Sequence, residues 1–258
     1  MSALPLLGRR VMVTRAAHQA GKLSEGLRAL GAEPVEVAVL EIRPPESFAA
    51  LDTALRQLDS YDWLMLTSAN AVRELAKRAA ALGILLTQQV GMKVAAIGSA
   101  TADAARLAGL QVDFMPEAYV AEKLVEGLLA RAEGQRILLA RAAFARDVIP
   151  DALRAAGTEV DVVEAYRNVL PETAPEQLRH ALGKGIDAAT FASSSSATHL
   201  AEAARLAGVA WPLAAVPAVS IGPITSQTLR DLGWPPAAEA NPSDIPGLIA
   251  ALVRVLQR

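Results

Sequence analysis

The sequence contains no cysteine, and aromatic residues make up only 4% of its 258 residues. The lack of cysteine excludes disulfide-stapled scaffolds, thiolate metal sites, thiol nucleophiles and redox switching. There is no excess of either charge, because 25 basic residues stand against 27 acidic ones. A nucleic-acid groove usually shows as a basic excess, so we expect no nucleic-acid partner.

Long hydrophobic runs are also missing. The longest uncharged stretch, residues 206–229, is interrupted by Pro212, Pro217 and Pro223, which argues against a membrane span. At the N-terminus, Arg9 and Arg10 follow a short apolar run, whereas a secretory signal carries its charges before a longer one. We therefore expect a cytoplasmic protein with no membrane partner.

Cofactor and metal motifs are absent as well. The chain has neither a Gly-x-Gly-x-x-Gly fingerprint nor a Gly-x-x-x-x-Gly-Lys-Ser/Thr loop. Its three histidines show no metal-ligand spacing, and no Gly-x-Ser-x-Gly elbow presents a serine nucleophile. We therefore expect no cofactor and no metal.

What the sequence does have is apolar material in an alternating pattern. Hydrophobic residues make up 52% of the chain, and 258 residues predict one to two domains. Short β-branched runs alternate with alanine-rich runs of helical spacing, which predicts α/β domains with parallel sheets. The predicted strands are Arg10–Arg15, Glu33–Ile42, Asp62–Thr67, Lys93–Ile97, Gln111–Met115, Arg136–Arg141, Glu159–Val169, Ile186–Ala192, Ala218–Ile221 and Ala237–Ala240.

An internal repeat is the most informative feature of the sequence. The matching pairs, at offsets of 126, 125 and 124 residues, include Val11–Arg15 with Ile137–Arg141, Asp62 with Asp187, Ser68 with Ser193, Gly98 with Gly222 and Thr101 with Thr225. The order is collinear, and glycines and hydroxyl residues match as well as apolar ones. We therefore predict two copies with five strands each. Asp62 and Asp187 fall at the amino ends of strands, where a structural role such as capping is expected.

Ligands of parallel α/β sheets bind beyond the carboxyl ends of the strands, where the next helices begin. Four such junctions carry small polar residues: Ser68-Ala69-Asn70, Gly98-Ser99 with Thr101, Ser193-Ser194-Ser195, and Gly222 with Thr225 and Ser226. A hydroxyl at a helix start either caps the helix or helps the free amides to bind a carboxylate or phosphate. The residues alone leave both interpretations open.

Three larger side chains accompany these junctions. Arg15 and Arg141 end equivalent strands, where arginine suits bidentate binding of a carboxylate, although a surface ion pair is the alternative. Tyr166 has the apolar repeat partner Leu40, and this asymmetry suits chemistry on an asymmetric substrate. The alternative for Tyr166 is a half-buried strand aromatic.

Taken together, six motifs resemble the uroporphyrinogen-III synthase family. They are Val-Thr-Arg (13–15), Leu-Thr-Ser-Ala-Asn-Ala-Val (66–72), Ile-Gly-Ser-Ala-Thr-Ala (97–102), Glu-Ala-Tyr-Arg-Asn-Val (164–169), Phe-Ala-Ser-Ser-Ser-Ser (191–196) and Ile-Gly-Pro-Ile-Thr (221–225). The resemblance spans residues 8–256 and rests on order, spacing and duplication. Ile224 and Asn70 depart from it, since some relatives carry threonine and arginine there, and Ala192 replaces a hydroxyl residue.

The resemblance implies an α/β fold of two similar parallel-sheet domains joined by a two-stranded ladder, with the internal repeat interleaved. One domain would hold residues 1–40 and 167–258, and the other would hold residues 46–158. Residues 41–45 and 159–166 would belong to the connecting ladder. The two copies would thus exchange their first βαβ pieces.

The resemblance also implies a cofactor-free lyase of tetrapyrrole biosynthesis. Such an enzyme closes hydroxymethylbilane to uroporphyrinogen III, with loss of water and inversion of the terminal pyrrole ring. Tyr166 matches the family tyrosine proposed as proton donor to the leaving hydroxyl. The residues that would bind substrate are Arg15, Ser68, Ala69, Asn70, Gly98, Ser99, Thr101, Arg141, Ser193, Ser194, Ser195, Gly222, Thr225 and Ser226.

The expected partner is the linear tetrapyrrole substrate, bound by a monomer that also makes a transient contact with the preceding pathway enzyme. An alternative is a non-enzymatic, two-lobed cytoplasmic binding module for a carboxylated small molecule, which would need no phenol at position 166. A phosphoacceptor or flavin-binding domain is a third possibility. It would require an acidic cluster at a strand end or a phosphate loop, and the sequence shows neither.

Overall fold

The computed structural model describes residues 4–15, 21–88, 91–116, 126–128, 134–145 and 147–257. In these residues the strands are β1 Arg10–Val13, β2 Glu33–Glu36, β3 Glu41–Arg43, β4 Trp63–Leu66, β5 Lys93–Ala96, β6 Arg136–Ala142, β7 Glu159–Val169, β8 Ala188–Phe191, β9 Ala218–Ser220 and β10 Ala238–Glu239. The helices are α1 Gly21–Ala29, α2 Ala49–Arg56, α3 Ala69–Ala81, α4 Ser99–Leu107, α5 Val148–Ala155, α6 Ala174–Gly183, α7 Ser194–Ala207, α8 Pro223–Asp231 and α9 Ile245–Leu256.

The chain divides into two compact units. Unit 1 is Met1–Glu41 with Val169–Arg258, and unit 2 is Ile42–Asn168. Sheet 1, in unit 1, has the strand order β10-β9-β8-β1-β2, and its neighbouring strands are parallel. Sheet 2, in unit 2, has the order β3-β7-β6-β4-β5, and the strands from β7 to β5 are parallel. The fold is therefore two α/β domains with parallel sheets.

The two sheets repeat each other in register. Arg10 lies opposite Glu33 in the β1–β2 pair, and Arg136 lies opposite Glu159 in the β6–β7 pair, a shift of 126 residues on both strands. The other strand pairs follow the offsets of 126, 125 and 124 residues found in the sequence. Val11 lies opposite Ala188 in sheet 1, as Ile137 lies opposite Trp63 in sheet 2. Ala189 lies opposite Ala218 in sheet 1, as Leu64 lies opposite Val94 in sheet 2. The predicted repeat is confirmed, because β9-β8-β1-β2 and β5-β4-β6-β7 are the same arrangement.

The predicted strand Gln111–Met115 is wrong. Only Phe114 forms a bridge, to Ala95, at the position that β10 occupies in sheet 1. The Asp113 carboxylate accepts the backbone N–H of Val94 at 2.7 Å. The backbone bonds of this segment to Val94 and Ala96 come from Asp113 and Phe114, and a ladder of this length does not form a strand.

The predicted long strand Glu33–Ile42 is also wrong, since it is divided into β2 and β3. Between them, the backbone N–H of Ala38 donates to the side chain of Gln177 at 3.1 Å. The carbonyl of Val39 lies 2.9 Å from Nδ1 of His199. Side chains of α6 and α7 therefore satisfy this backbone in place of a neighbouring strand.

Helices cover both faces of each sheet, as expected for parallel sheets buried on both sides. In unit 1, α6, α7 and α8 pack on the face that contains Met12 and Phe191. The opposite face, with Val11 and Val13, packs against α1 and α9. In unit 2, α2, α3 and α4 cover one face, and α5 covers the other. None of the described helices combines the length and apolarity that crossing a membrane requires.

The repeated aspartates have the expected structural role. The Asp187 carboxylate accepts the backbone N–H of Arg10 at 2.7 Å, and the Asp62 carboxylate accepts that of Arg136 at 2.8 Å. In each domain the carboxylate thus extends a strand pair by one hydrogen bond at its amino end.

We expect Asp187→Ala to lower the free energy of unfolding by about 1–3 kcal/mol, because a charge-assisted hydrogen bond to the backbone is lost. Asp187→Asn should lose less, since it keeps one acceptor oxygen. Asp62→Ala should also lose less, because Asp62 is more exposed to solvent. Denaturant unfolding of the three variants would check this order, and an equal loss for the alanine and asparagine variants of Asp187 would contradict it.

Candidate functional site

The predicted site residues lie at the carboxyl ends of the strands in both domains. In unit 1, Arg15, Ser193 and Gly222 follow β1, β8 and β9. In unit 2, Ser68 and Gly98 follow β4 and β5, and Arg141 lies in the last residues of β6. Because these strands are parallel, the residues of one domain share one edge of its sheet.

A β-bulge places the side chain of Tyr166. Arg141 pairs with Glu164, but the next residue, Ala142, pairs with Tyr166, so β7 carries one extra residue at Ala165. Consequently Ala165 and Tyr166 are both buried in the core beneath α3, although they are adjacent in a strand. Without the bulge, Tyr166 would face the opposite side of the sheet, because strand side chains alternate.

On this face the phenol meets a helix start. The Tyr166 hydroxyl lies 3.1 Å from Oγ of Ser68, 98 residues earlier in the chain. Tyr166 is only 4% exposed to solvent. The interpretation of Tyr166 as a simple strand aromatic therefore leaves out its polar contact, which joins the carboxyl end of sheet 2 to the start of α3.

Ser68 and Ser193 cap their helices in the same way. Oγ of Ser68 accepts the N–H of Ala71 at 3.1 Å, and Oγ of Ser193 accepts the N–H of Ser196 at 3.2 Å. The neighbouring residues of the prediction, which are Ala69, Asn70, Ser194 and Ser195, are half-buried in the first helical turns. The side chain of Asn70 accepts a hydrogen bond from Arg73 at 2.9 Å. Capping and carboxylate binding by the remaining amides are compatible at these helix starts.

The second pair of junctions has no side-chain cap. Gly98 and Gly222 are the N-cap residues of α4 and α8, and a glycine has no side chain that could accept the first amides of its helix. Gly98 has φ 83°, which favours glycine, whereas Gly222 is extended and a Cβ there would come within 2.9 Å of the Ser243 hydroxyl. Ser99, the first residue of α4, is exposed. These open helix starts suit an incoming anion.

Thr101 and Thr225 lie in the first turns of these helices. Each threonine is only 4% exposed to solvent. From the sequence we expected their hydroxyls to be presented more openly. Neither hydroxyl has a hydrogen-bond partner among the residues that the structure describes. Neither oxygen is among the fully buried atoms that lack a partner, so each hydroxyl keeps access to solvent and can bond to a substrate carboxylate.

Ser226 is engaged within its own domain. It is fully buried, its hydroxyl lies 2.6 Å from that of Ser220, and it donates to the carboxylate of Glu239. The repeat-equivalent residues of unit 2 are Ala96, Ala102 and Met115, which are apolar. The carboxyl ends of the two sheets therefore differ in this polar cluster. The hydroxyl of Ser226 is used by hydrogen bonds within its own domain and is not exposed for a ligand.

The two equivalent arginines have different surroundings. Arg141 forms an ion pair with Asp147, which follows it by six residues. Arg15 is half-buried, and burial lowers the pKa of its guanidinium from the usual value. No acidic side chain in the described part of the chain pairs with Arg15. A ligand carboxylate would compensate the burial of this cation.

A second phenol, Tyr61, is found at the opposite edge of sheet 2. Its hydroxyl donates to the Asp161 carboxylate at 2.7 Å, and the guanidinium of Arg136 lies 4.6 Å from the ring centroid. Burial and the neighbouring Asp161 raise the pKa of Tyr61 to about 12. Because this proton is held by a carboxylate away from the helix starts, Tyr61 is not part of the candidate site. Within the described residues no group of histidine and acidic side chains could hold a metal ion.

Some contacts of the site were not predicted from the sequence. The pairing of Arg141 with Asp147 could have been suspected from their short separation, but the contact of Ser68 with Tyr166 has no local signal. The bulge at Ala165 also has no signal in the sequence, since the residue pattern of Val160–Val169 is that of an ordinary strand. The site is thus assembled by tertiary contacts between residues that the sequence identifies only one at a time.

Comparison with known proteins gives one consistent result. The family described as "Uroporphyrinogen-III synthase HemD" matches residues 21–250. The chain is 34% identical over 257 residues to "Uroporphyrinogen-III synthase" of Synechococcus elongatus, covering 98% of this chain and 97% of the relative. It is 31% identical over 228 residues to "Porphyrin biosynthesis protein HemD" of Ruminiclostridium josui, covering 88% of this chain and 44% of that protein.

Solved structures agree on the fold. A variant of uroporphyrinogen III synthase from the extremely thermophilic bacterium Thermus thermophilus matches with a TM-score of 0.67 and 22% identity, over 97% of this chain and 99% of that chain. The corresponding protein of Helicobacter pylori matches with a TM-score of 0.64 and 16% identity, over 96% of this chain and 99% of that chain. At these identities the structural matches support the two-domain α/β architecture.

Proposed function

Because this chain belongs to the uroporphyrinogen-III synthase family, we propose that it closes hydroxymethylbilane to uroporphyrinogen III, with loss of water and inversion of the terminal pyrrole ring. The structural observation that carries the proposal is the Tyr166 phenol. It lies at the carboxyl end of sheet 2 and contacts the start of α3 through Ser68. A phenol in this place can protonate a leaving hydroxyl.

Loss of water needs a proton donor, because hydroxide is a poor leaving group. A phenol is protonated at neutral pH and can give its proton to the departing oxygen. The C–O bond then breaks with its electron pair on the oxygen, and the pyrrole nitrogen supplies electrons to form an azafulvene cation. Tyr166 is the group of sheet 2 that fits this role, since the phenol of Tyr61 is already hydrogen-bonded to Asp161 at the other edge.

The substrate carries acetate and propionate carboxylates on its rings, and the chain needs no basic excess to hold them. Open amides at the starts of α4 and α8 suit carboxylate oxygens, as do the unpartnered hydroxyls of Thr101 and Thr225. Arg15 adds a half-buried cation. Holding a flexible linear tetrapyrrole by many weak contacts would bring its two ends together, which favours ring closure over side reactions.

The proposal also covers the setting of the reaction. The enzyme would act in the cytoplasm as a monomer without a cofactor. It would receive its substrate through a transient contact with the enzyme that makes the linear tetrapyrrole. The absence of a basic excess gives no reason to include nucleic acid among its partners.

The test is to supply hydroxymethylbilane to the purified protein and to resolve the uroporphyrinogen isomers by chromatography after oxidation. We expect the type III isomer to dominate and the linear substrate to disappear faster than it does without protein. Formation of the type I isomer alone, at the uncatalysed rate, would refute the proposed activity. If the protein bound the substrate tightly under those conditions, the non-enzymatic binding module would be the better interpretation.

A further inference from the structure

Ser68 lies between a helix N-terminus and the Tyr166 phenol. Its Oγ accepts the N–H of Ala71 at 3.1 Å and lies 3.1 Å from the Tyr166 hydroxyl. A serine hydroxyl has one proton and two lone pairs. One lone pair is used by the Ala71 amide, so the direction of the bond to Tyr166 decides where the phenol proton points.

We propose that Ser68 is a positioning residue for Tyr166, donating its proton to the phenol oxygen and so leaving the phenol proton free for the substrate. The donors would run in one direction, from the Ala71 amide through Ser68 to Tyr166 and then to the leaving hydroxyl. An oxygen that accepts an N–H becomes a better donor itself, so the first bond of this series strengthens the second. The inference rests on the proposed function, because Tyr166 needs a free proton only if it acts as an acid.

The same arrangement accounts for the proton over the whole reaction. Tyr166 gives its proton to the leaving oxygen, water departs with the electron pair of the C–O bond, and a phenolate remains. The Ser68 hydroxyl and the positive end of the 13-residue helix α3 would stabilise that phenolate. The cationic carbon first bonds to the substituted α-carbon of the terminal pyrrole and gives a spiro intermediate. The bond from that α-carbon to its original methylene then breaks, and the methylene bonds to the free α-carbon, so that the ring is inverted. The formerly free α-carbon loses its proton, and the phenolate takes one back. The net change is the loss of one water, and the enzyme is restored.

The repeat shows that the fold does not require this contact. Ser193 caps α7 as Ser68 caps α3, but the residue equivalent to Tyr166 in unit 1 is Leu40. The hydroxyl of Ser196 bonds to the carbonyl of Ser193 at 2.6 Å, whereas its equivalent in unit 2 is Ala71. The cap is therefore shared by both copies, and the phenol contact is special to Ser68. Ser193 is accordingly a matched control for the loss of a cap.

The kinetic test is a double-mutant cycle read by isomer-resolved initial rates. Ser68→Ala should lower kcat for the type III isomer about tenfold, the effect of one hydrogen bond, while KM changes less. Ser68→Thr, which keeps the hydroxyl, should restore most of kcat. With Tyr166→Phe already present, Ser68→Ala should cause no further fall, because the partner that it positions is gone. Ser193→Ala should instead change the rates by the same factor with or without Tyr166→Phe.

A second readout does not depend on turnover. The chain has three tyrosines, and labelling their Cζ with ¹³C gives signals of which Tyr166 is identified by its loss in Tyr166→Phe. Ser68→Ala should move the Tyr166 signal, and Ser193→Ala should leave it in place. An unmoved signal in Ser68→Ala, or an equal fall in kcat with and without Tyr166→Phe, would overturn the positioning role. If no type III isomer forms with the unmodified protein, the proposed function fails, and the NMR result still decides whether Ser68 contacts the phenol in solution.

Discussion

Tyr166→Phe is expected to lower kcat for the type III isomer about 100-fold or more, the usual contribution of a positioned general acid. The substitution removes only the hydroxyl, and the ring stays in the core beneath α3. Loss of the contact with Ser68 should cost about 0.5–1.5 kcal/mol of stability, so the variant remains folded. Steady-state rates with isomer separation, together with denaturant unfolding, measure both quantities.

Tyr61→Phe is the control for this prediction. It removes the other described phenol of unit 2, at the opposite edge of the sheet, and breaks a hydrogen bond to Asp161. We expect a loss of stability and an unchanged kcat. If Tyr166→Phe kept full turnover, or if both variants lost turnover to the same extent, Tyr166 would not be the acid.

Arg15→Gln is expected to raise KM for hydroxymethylbilane by about 10- to 100-fold, because it removes a charge-assisted hydrogen bond of about 1.5–3 kcal/mol to a substrate carboxylate. Arg141→Gln should raise KM less. The guanidinium of Arg141 is already paired with Asp147, so a substrate must compete with that ion pair. The two arginines are repeat equivalents, which makes Arg141 the natural control.

Replacing Arg15 should weaken substrate binding without lowering the stability of the protein. Burial lowers the pKa of this guanidinium, and its charge has no acidic partner in the described residues. Replacing it with a neutral side chain should therefore leave the melting temperature unchanged or raise it, as happens where a binding site holds an uncompensated charge. A larger KM effect for Arg141→Gln than for Arg15→Gln would contradict the predicted order. A clear loss of stability in Arg15→Gln would show that Arg15 has a structural role instead.

The sequence predicted most of the fold because each element carries its own local signal. Hydrophobic runs such as Ile137–Ala140 are buried on both faces of a parallel sheet, and the repeat offsets predicted which strands are equivalent. The prediction of one long strand Glu33–Ile42 failed because side chains from distant elements replace backbone partners. Gln177 and His199 bond to the backbone between β2 and β3. Such competition is invisible in local patterns, since it depends on which helix packs nearby.

The candidate site divides in the same way. The sequence by itself determined the repeat, the two parallel sheets and the helix starts after their strands, because periodicity, caps and glycines act over a few residues. Only the tertiary structure decided which of these groups act together. The bulge at Ala165 turns Tyr166 toward the Ser68 hydroxyl. Asp147 forms an ion pair with Arg141, whereas no acidic side chain among the described residues pairs with Arg15. The physical reason is that hydrogen bonds and ion pairs form within about 3 Å in space, and nothing in the separation of 98 residues between Ser68 and Tyr166 encodes that distance.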